Sequence, residues 1–316
     1  MKTQNKEKNF ASCVVYLHND EKTVKEFLQM VNKVMQDNFE KYEMVCVNDC
    51  CIDDTIEQIR EFLKETDGNV AVSMINLSYY QGVEAAMNAG RDLAVGDFLF
   101  EFDKCCPDFE PGLIMDIYRR ALEGYDVVAA APKKGVPLTS RFFYTVYNWG
   151  SRNRYQIRQE RFRVISRRAI NRVNQMNVYI PYRKAMYMNC GLKVDTVVYD
   201  NKSVAGKIKN REERGTRSTL AMDTIILFTD VLEKFSLLMS VIFFGVLVIM
   251  FGWIVWSVFS EVRPVEGWMS LMALISFGFF MTSALLTIIL KYMSVLLNLN
   301  FKKQRYVIEG VEKLIK

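Results

Sequence analysis

The stretch GDFLFEFDKCCPDFEP, residues 96–111, decides the fold of this chain. Its apolar residues Phe98, Leu99, Phe100 and Phe102 predict a buried strand, which ends at the carboxylate of Asp103. A proline on each side of Asp108 then turns the chain out of the sheet. Ligands of open α/β sheets bind at the carboxyl ends of the strands, so Asp103 is predicted to lie at a binding edge.

Upstream of this stretch, predicted strands alternate with amphipathic helices. The strands are predicted over 12–17, 44–47 and 70–76. The second helix begins after Asp53 or Asp54, and a third, rich in small residues, covers 82–93. The first helix has apolar residues at helical spacing, at Val24, Phe27, Leu28, Val31, Val34 and Met35. This alternation predicts a parallel, doubly wound α/β sheet.

The C-terminal part of the 316-residue chain is strongly apolar. Residues 236–259 and 268–290 contain no charged side chain, and each run exceeds the roughly 20 helical residues that cross a bilayer. The short loop between the runs has two Glu and one Arg, whereas the far flank is basic. The positive-inside rule therefore predicts an integral membrane protein with both ends in the cytoplasm.

The predicted organisation follows from these patterns. A polar N-terminal tail (1–11) leads into an α/β domain (12–218), which faces the cytoplasm. An amphipathic juxtamembrane helix (219–235) precedes the two transmembrane helices (236–259 and 268–290), and a cytoplasmic C-terminal tail (291–316) follows them.

The seven cysteines have no spacing typical of secreted disulfide frameworks, so they are expected to be reduced in the cytosol. The pairs Cys50-Cys51 and Cys105-Cys106 end two strands of one sheet edge. A zinc site is one interpretation, and small buried thiols are the other. The sole histidine, His18, has no acidic partner in the pattern and is expected to pack.

Eight arginines and one acid, Glu160, lie between Arg152 and Arg172. A solvated surface is one interpretation of this run, and a site for anionic phosphates near the membrane is the other. A second basic turn follows at 211–218. The chain has no nucleic-acid reader motif, so nucleic acid is not expected as a partner.

The motifs in their order resemble family 2 glycosyltransferases with a GT-A fold. The first strand and turn (14–21), an acidic motif (47–49 with 53–55), and the spacing of Gly82, Ala86, Gly90, Gly96 and Asp97 carry this resemblance. Residues 162–168, Gly215-Thr216, the two apolar runs and 303–308 are similar to polyprenyl-phosphate glycosyltransferases, including dolichyl-phosphate mannose synthase-like enzymes.

The resemblance implies transfer of a sugar from a nucleotide-sugar to a polyprenyl phosphate on the cytoplasmic face of a membrane, in bacteria the inner membrane. The acceptor phosphate is already anionic, so it needs no general base. Membrane lipid is a further expected partner, and a homo-oligomer is left open. The implied catalytic residues are Asp103, Arg163 and Glu160. The implied donor-binding residues are Asn19, Glu21, Asp49, Asp53, Gly82, Asp103 and Lys104. The implied lipid-phosphate ligands are Lys133, Lys134, Arg163, Arg211, Arg214 and Arg217, with Arg163 expected to be exposed.

The chain departs from the family pattern where a divalent cation, Mg²⁺ or Mn²⁺, is implied. The Asp-x-Asp motif is here Asp103-Lys104-Cys105, so Asp103 is the one remaining metal ligand and a thiol replaces the hard oxygen. Lys104 is one candidate to replace the charge of the metal. Other departures are Tyr16 for a proline, Asn48 and Arg161 for acids, and Ser218 for a lysine. These losses favour an alternative function, a catalytically impaired scaffold in membrane glycan synthesis.

Overall fold

The computed structural model describes residues 6–66, 70–133, 144–145, 147–148, 158–176, 182–200, 267–301 and 306–314, with single residues between 238 and 259. The strands are β1 (Ala11–Leu17), β2 (Tyr42–Asn48), β3 (Ala71–Leu77), β4 (Phe98–Phe102), β5 (Val127–Pro132), β6 (Phe162–Ser166), β7 (Val194–Tyr199) and β8 (Ile308–Leu314). The helices are α1 (Val24–Asn38), α2 (Thr55–Glu65), α3 (Val83–Leu93), α4 (Gly112–Leu122), α5 (Arg167–Gln175), α6 (Arg183–Asn189) and α7 (Gly267–Phe301).

The strands form one eight-stranded sheet in the order β7-β5-β6-β4-β1-β2-β3-β8. Strands β1 to β4 are parallel to one another, which confirms the predicted α/β core. The whole sheet is nevertheless mixed, because β6 is antiparallel to both β4 and β5, and β8 is antiparallel to β3. Neither β6 nor β8 was predicted as a strand.

Helices cover both faces of the sheet. One core contains the predicted apolar stripe of α1 together with residues of α2 and α4, and all six stripe residues are buried. The other core contains residues of α3, α5 and α6. Strand β1 supplies both cores in alternation, since Cys13 and Val15 face the first while Val14 and Tyr16 face the second.

Two glycines allow close approaches near the centre of the sheet. A Cβ atom on Gly90 would lie 2.3 Å from Cγ1 of Val14 and 2.8 Å from Cγ2 of Val47. A Cβ atom on Gly96 would lie 2.7 Å from the backbone nitrogen of Ser12. Both positions therefore require glycine for packing, α3 against the sheet and the start of β4 against β1.

The chain beyond 200 is described only in part. The second predicted transmembrane stretch, 268–290, lies within α7, a helix of 35 residues. Most of the first, 236–259, and all of 201–237 lie outside the described residues. No helix in the described part of the chain is identified as long and apolar enough to cross a membrane.

The predicted C-terminal tail is partly a structural element. Strand β8 extends the sheet beyond β3, with Ile308 opposite Leu77 and Leu314 opposite Val72. The chain therefore enters β8 at the carboxyl end of β3. Part of the stretch that was predicted to be a tail thus belongs to the α/β domain.

Candidate functional site

Four polar loops meet at one edge of the sheet. Strands β1 to β4 are parallel, and their carboxyl ends are at Leu17, Asn48, Leu77 and Phe102. The loops that follow contain His18, Asp49, Gln81 and Asp103, so the edge predicted from the sequence is formed.

The carboxylate of Asp103 is held by two arginines. Its Oδ2 accepts a hydrogen bond of 2.7 Å from Nη2 of Arg163, and its Oδ1 accepts one of 2.8 Å from Nη2 of Arg183. The Asp103 side chain is 16% exposed, whereas the two arginine side chains are buried. Burial alone would raise the pKa of Asp103, but Arg163, Arg183 and Lys184 hold it well below its usual value. Asp103 is therefore a carboxylate at neutral pH.

A buried network of opposite charges supports the two arginines. Both donate through Nη1 to Oε2 of Glu101, at 2.9 Å from Arg163 and 2.6 Å from Arg183. Nε of Arg163 donates to Glu160 at 3.1 Å, and Nε of Arg183 donates to Glu84 at 2.9 Å. Each guanidinium thus binds three carboxylates, which fixes its plane and makes breaking any one pair costly.

The structure brings together the three predicted catalytic residues, but it corrects one expectation. Arg163 was expected to be exposed and to bind lipid phosphate. Its side chain is 1% exposed, and all its guanidinium nitrogens are engaged with carboxylates. The reason is the β4–β6 pairing, which places Arg163 directly opposite Glu101 on the neighbouring strand.

Arg183 and Lys184 were not identified in the sequence. Arg183 lies 80 positions from Asp103, and no spacing motif connects them. The available signal was the occurrence of two adjacent cations in a short helix that otherwise holds Ala185, Met186, Tyr187 and Met188. In that setting a buried guanidinium needs acidic partners, and Arg183 has three of them.

Three other arginines of the basic run also have internal partners, whereas Arg158 and Arg172 are exposed. Nε of Arg161 lies 2.9 Å from Oδ2 of the buried Asp108. Arg167 donates to the carbonyl oxygens of Ala94 and Gly96, and Arg168 donates to both oxygens of Asp126. These contacts fasten β6 and α5 to the sheet. Arg161, Arg167 and Arg168 therefore contribute to the structure of the domain.

Asp49, a predicted donor ligand, is buried and holds the loop before α3. Its Oδ1 accepts from the backbone nitrogen of Gln81 at 2.8 Å. Its Oδ2 accepts from the nitrogen of Gly82 at 2.8 Å and from the hydroxyl of Tyr16 at 3.0 Å. Gly82 has φ of 84°, in the left-handed region that favours glycine. Asp49 and Gly82 therefore determine the conformation of the loop at this edge of the sheet.

Asn19, Glu21 and Asp53 connect the first two loops. Oδ1 of Asn19 accepts from the backbone nitrogen of Ile52 at 2.9 Å, and Oδ2 of Asp53 accepts from that of Glu21 at 3.1 Å. The ring of His18 packs against Tyr80, with centroids 4.6 Å apart, as expected for a packing residue. The loops are thus cross-braced by the residues that were predicted to bind the donor.

The residues at this edge do not fit the divalent cation that the resemblance implies. Both oxygens of Asp103 already accept hydrogen bonds from arginines. Cys105 is buried, its Sγ donates to the carbonyl oxygen of Tyr16, and burial raises the pKa of the thiol well above its usual value. A neutral thiol is a poor ligand for Mg²⁺ or Mn²⁺. The described residues also include no group of three or more His, Cys, Asp or Glu side chains placed to hold a metal, zinc included.

The remaining predicted cations lie in several places. The charge of Lys104 acts to lower the pKa of Asp20 and that of Cys106. Lys133 is exposed, with Nζ 3.5 Å from Oδ1 of Asp200. Lys134, Arg211, Arg214 and Arg217 lie outside the described residues.

Comparisons with known proteins give a family match and several relatives. The sequence model of the family described as Glycosyl transferase family 2 matches residues 12–187, more than half of the chain. An uncharacterized glycosyltransferase of Bacillus subtilis is 27% identical over 271 residues, 83% of this chain and 82% of that protein. An uncharacterized glycosyltransferase of Synechocystis sp. is 26% identical over 195 residues, so the chain spans only 60% of that relative.

One relative has a more specific name. The undecaprenyl-phosphate 4-deoxy-4-formamido-L-arabinose transferase of Proteus mirabilis is 28% identical over 120 residues, 38% of this chain and 36% of that protein. Among solved structures, glucosyl-3-phosphoglycerate synthase of Mycobacterium tuberculosis, with Mn²⁺, uridine diphosphate and phosphoglyceric acid, has a TM-score of 0.49 and 13% identity. That match covers 69% of this chain and 78% of the synthase chain.

Proposed function

The chain belongs to glycosyl transferase family 2, and from this premise we propose that it transfers a sugar from a nucleotide-sugar to a polyprenyl phosphate at a membrane surface. Family membership makes it a glycosyltransferase with an α/β GT-A fold. The polyprenyl acceptor is supported by the relatives named as undecaprenyl-phosphate sugar transferases.

The observation that carries the proposal is the connection between α7 and the site edge. Strand β8 starts opposite Leu77, at the same carboxyl edge as Asp103, and six residues separate it from the end of α7 at Phe301. The described side chains of α7 include many exposed apolar residues, among them Phe279, Phe280 and Leu290. A helix of this length spans about 50 Å, and such a surface suits lipid contact better than water. An acceptor with a lipid tail would meet the site there.

Membrane anchoring and its orientation are part of the proposal. The charge-free runs 236–259 and 268–290, with the basic residues beyond them, favour two spans and a cytoplasmic catalytic domain. The basic turn at 211–218 supplies candidates for the lipid phosphate, namely Arg211, Arg214 and Arg217, and Lys133 and Lys134 are further candidates.

Within the site we assign donor contact to Asp103, because it is the partly exposed member of the charge network. Arg163 and Glu160 are buried, so their proposed part is to position Asp103. Asn19, Asp49, Asp53 and Gly82 position the loops around the donor, and Glu21 and Lys104 lie beside it as candidates for contact.

The test is sugar transfer by the full-length protein in lipid nanodiscs that contain undecaprenyl phosphate. Nucleotide-sugars of the UDP and GDP classes are supplied in turn, and glycosylated lipid is measured by mass spectrometry. Discs that contain undecaprenol without phosphate are the matched control. We expect sugar transfer to undecaprenyl phosphate and none to undecaprenol. Binding of a nucleotide-sugar with no transfer to either lipid would favour the impaired scaffold instead.

A further inference from the structure

Lys184 is a largely buried lysine beside the site. The charge network leaves it without a partner. It follows Arg183 in α6 and is 9% exposed. It makes no hydrogen bond or ion pair within the part of the chain that the structure describes, although its charge acts on Asp103. Its Nζ is not among the buried polar atoms that lack a hydrogen-bond partner, so the ammonium is accessible although most of the side chain is buried. An accessible cation that is held in one place suits an anionic ligand.

The other cations of the network are already engaged. Arg163 and Arg183 each donate to three carboxylates, so neither has a free nitrogen to offer a ligand. Lys184 can therefore add positive charge next to Asp103 without breaking a buried pair. A lysine ammonium is a compact donor that commonly binds phosphate.

A nucleoside diphosphate is strongly negative, and the residues at this edge do not fit a divalent cation that would offset its charge. Because the oxygens of Asp103 are occupied by arginines and Cys105 is a buried thiol, the metal position of the family motif is not formed. In the transfer, the bond from the anomeric carbon to the diphosphate breaks and its electron pair leaves with the diphosphate. An acceptor phosphate oxygen forms the new bond. The departing charge needs a fixed cation.

We propose that Lys184 binds the diphosphate of the donor and that nucleotide binding at this edge needs no divalent cation. This inference rests on the proposed function, since it takes the donor to be a nucleotide-sugar. The arginine pair replaces the metal in holding Asp103, and Lys184 replaces it in neutralising the diphosphate.

The experiment is calorimetric titration of the full-length protein in detergent with UDP, GDP and the corresponding monophosphates. Each titration is made in chelator and again in excess Mg²⁺ or Mn²⁺. We expect the dissociation constant of the better diphosphate to change by less than about threefold between these conditions. Lys184→Met should weaken binding of that diphosphate about tenfold or more, because one charge-assisted hydrogen bond is lost. The variant should also show a smaller preference for diphosphate over monophosphate.

Two further variants separate charge from structure. Lys184→Arg keeps the charge and should retain most of the affinity. Lys193→Met removes an exposed lysine nearby in sequence and should change nothing. Thermal unfolding of Lys184→Met should show an unchanged or higher melting temperature, because Lys184 makes no hydrogen bond or ion pair with the described residues that the variant would lose.

The outcomes distinguish the two proposals. Diphosphate binding that needs metal, or that survives Lys184→Met in a folded protein, would overturn the inference while leaving the proposed function intact. If the unmodified protein binds no nucleotide in either condition, the proposed function fails, and the inference fails with it.

Discussion

At the scale of single residues, Asp103 shows how a carboxylate can be fixed without a metal. Two guanidiniums approach its two oxygens from β6 and α6, and the shared acceptor Glu101 sets the distance between them. Charge-assisted pairs of this kind are directional, so Asp103 keeps one orientation. In the proposed function, this fixed orientation is what Asp103 offers to the donor.

The buried surroundings of Cys105 determine what to expect from Cys105→Asp, the substitution that restores the family motif. Cys105 is 3% exposed, and Asp20 lies close enough to affect its thiol electrostatically. Cys105→Asp would bury an unpaired carboxylate beside another acid, at a cost of about 2 kcal/mol or more. We expect a clear fall in melting temperature and no gain in metal-dependent nucleotide affinity. Cys105→Ala, which adds no charge, is the control. A stable Cys105→Asp protein with Mg²⁺-dependent binding would contradict this account.

The raised pKa of Asp20 leads us to predict that the stability of the domain depends on pH. Burial raises its pKa from 3.8 to about 6, against the hydrogen bond from the backbone nitrogen of His18 and the charge of Lys104. Between these two values the unfolded state loses the proton first, so the contribution of Asp20 to stability falls as pH rises through about 4 to 6.

Asp20→Asn removes the free-energy cost of burying an ionised carboxylate, and it keeps an oxygen that can accept a hydrogen bond. Above the folded pKa the variant should be more stable by about 1–3 kcal/mol, and the gain should vanish as pH approaches 4. Thermal unfolding across this range measures it. The control is Asp54→Asn, at the exposed N-cap of α2, where no side-chain capping bond is made. An equal gain at every pH would show that titration of Asp20 is not the cause.

At the scale of elements, α3 packs on the sheet through Gly90. An added methyl group would meet side chains of β1 and β2 at less than 3 Å. Gly90→Ala should therefore destabilise the domain by about 1–3 kcal/mol, although alanine is the better helix former. Gly112→Ala is the matched control, because no atom lies within 4 Å of its Cβ position at the start of α4. Measured unfolding should separate the two variants, and equal stabilities would contradict the packing argument.

Which elements the sequence predicted depends on how local their signals are. Strands β1 to β4 and helices α1 to α3 have periodic apolar patterns within each segment, and all were predicted. Strand β6 has arginine as its second residue, and Arg163 is acceptable there only because Glu101 lies opposite on a strand more than 60 positions earlier. Asp49 was placed at the site edge correctly, but its internal bonds to the Gln81 loop depend on a long-range contact. Long-range partners of this kind leave no spacing in one sequence.

At the scale of the whole molecule, the segment after α7 is connected to the site edge. The Gln81 side chain binds the backbone of Val307 twice, Nε2 donating at 2.7 Å and Oε1 accepting at 2.9 Å. The backbone nitrogen of Gln81 donates to Asp49. A displacement of the chain at the end of α7 would therefore reach the loop that Asp49 holds. Gln81 thus links the segment that follows the apolar helix to the sheet edge that contains Asp49.

The pairing of β8 with β3 can be tested by a cross-link. Ser73 and Lys313 are partners in the antiparallel register, so cysteines at both positions should form a disulfide under mild oxidation. Because both strands belong to one chain, the cross-linked protein should run as a monomer on a non-reducing gel. Each single variant controls for the native cysteines, and Ser73→Cys with Glu309→Cys is the control with the wrong register. Efficient cross-linking of Ser73→Cys with Lys313→Cys into a dimer would mean that β8 pairs with another copy, and the link from α7 to the site would then run between subunits.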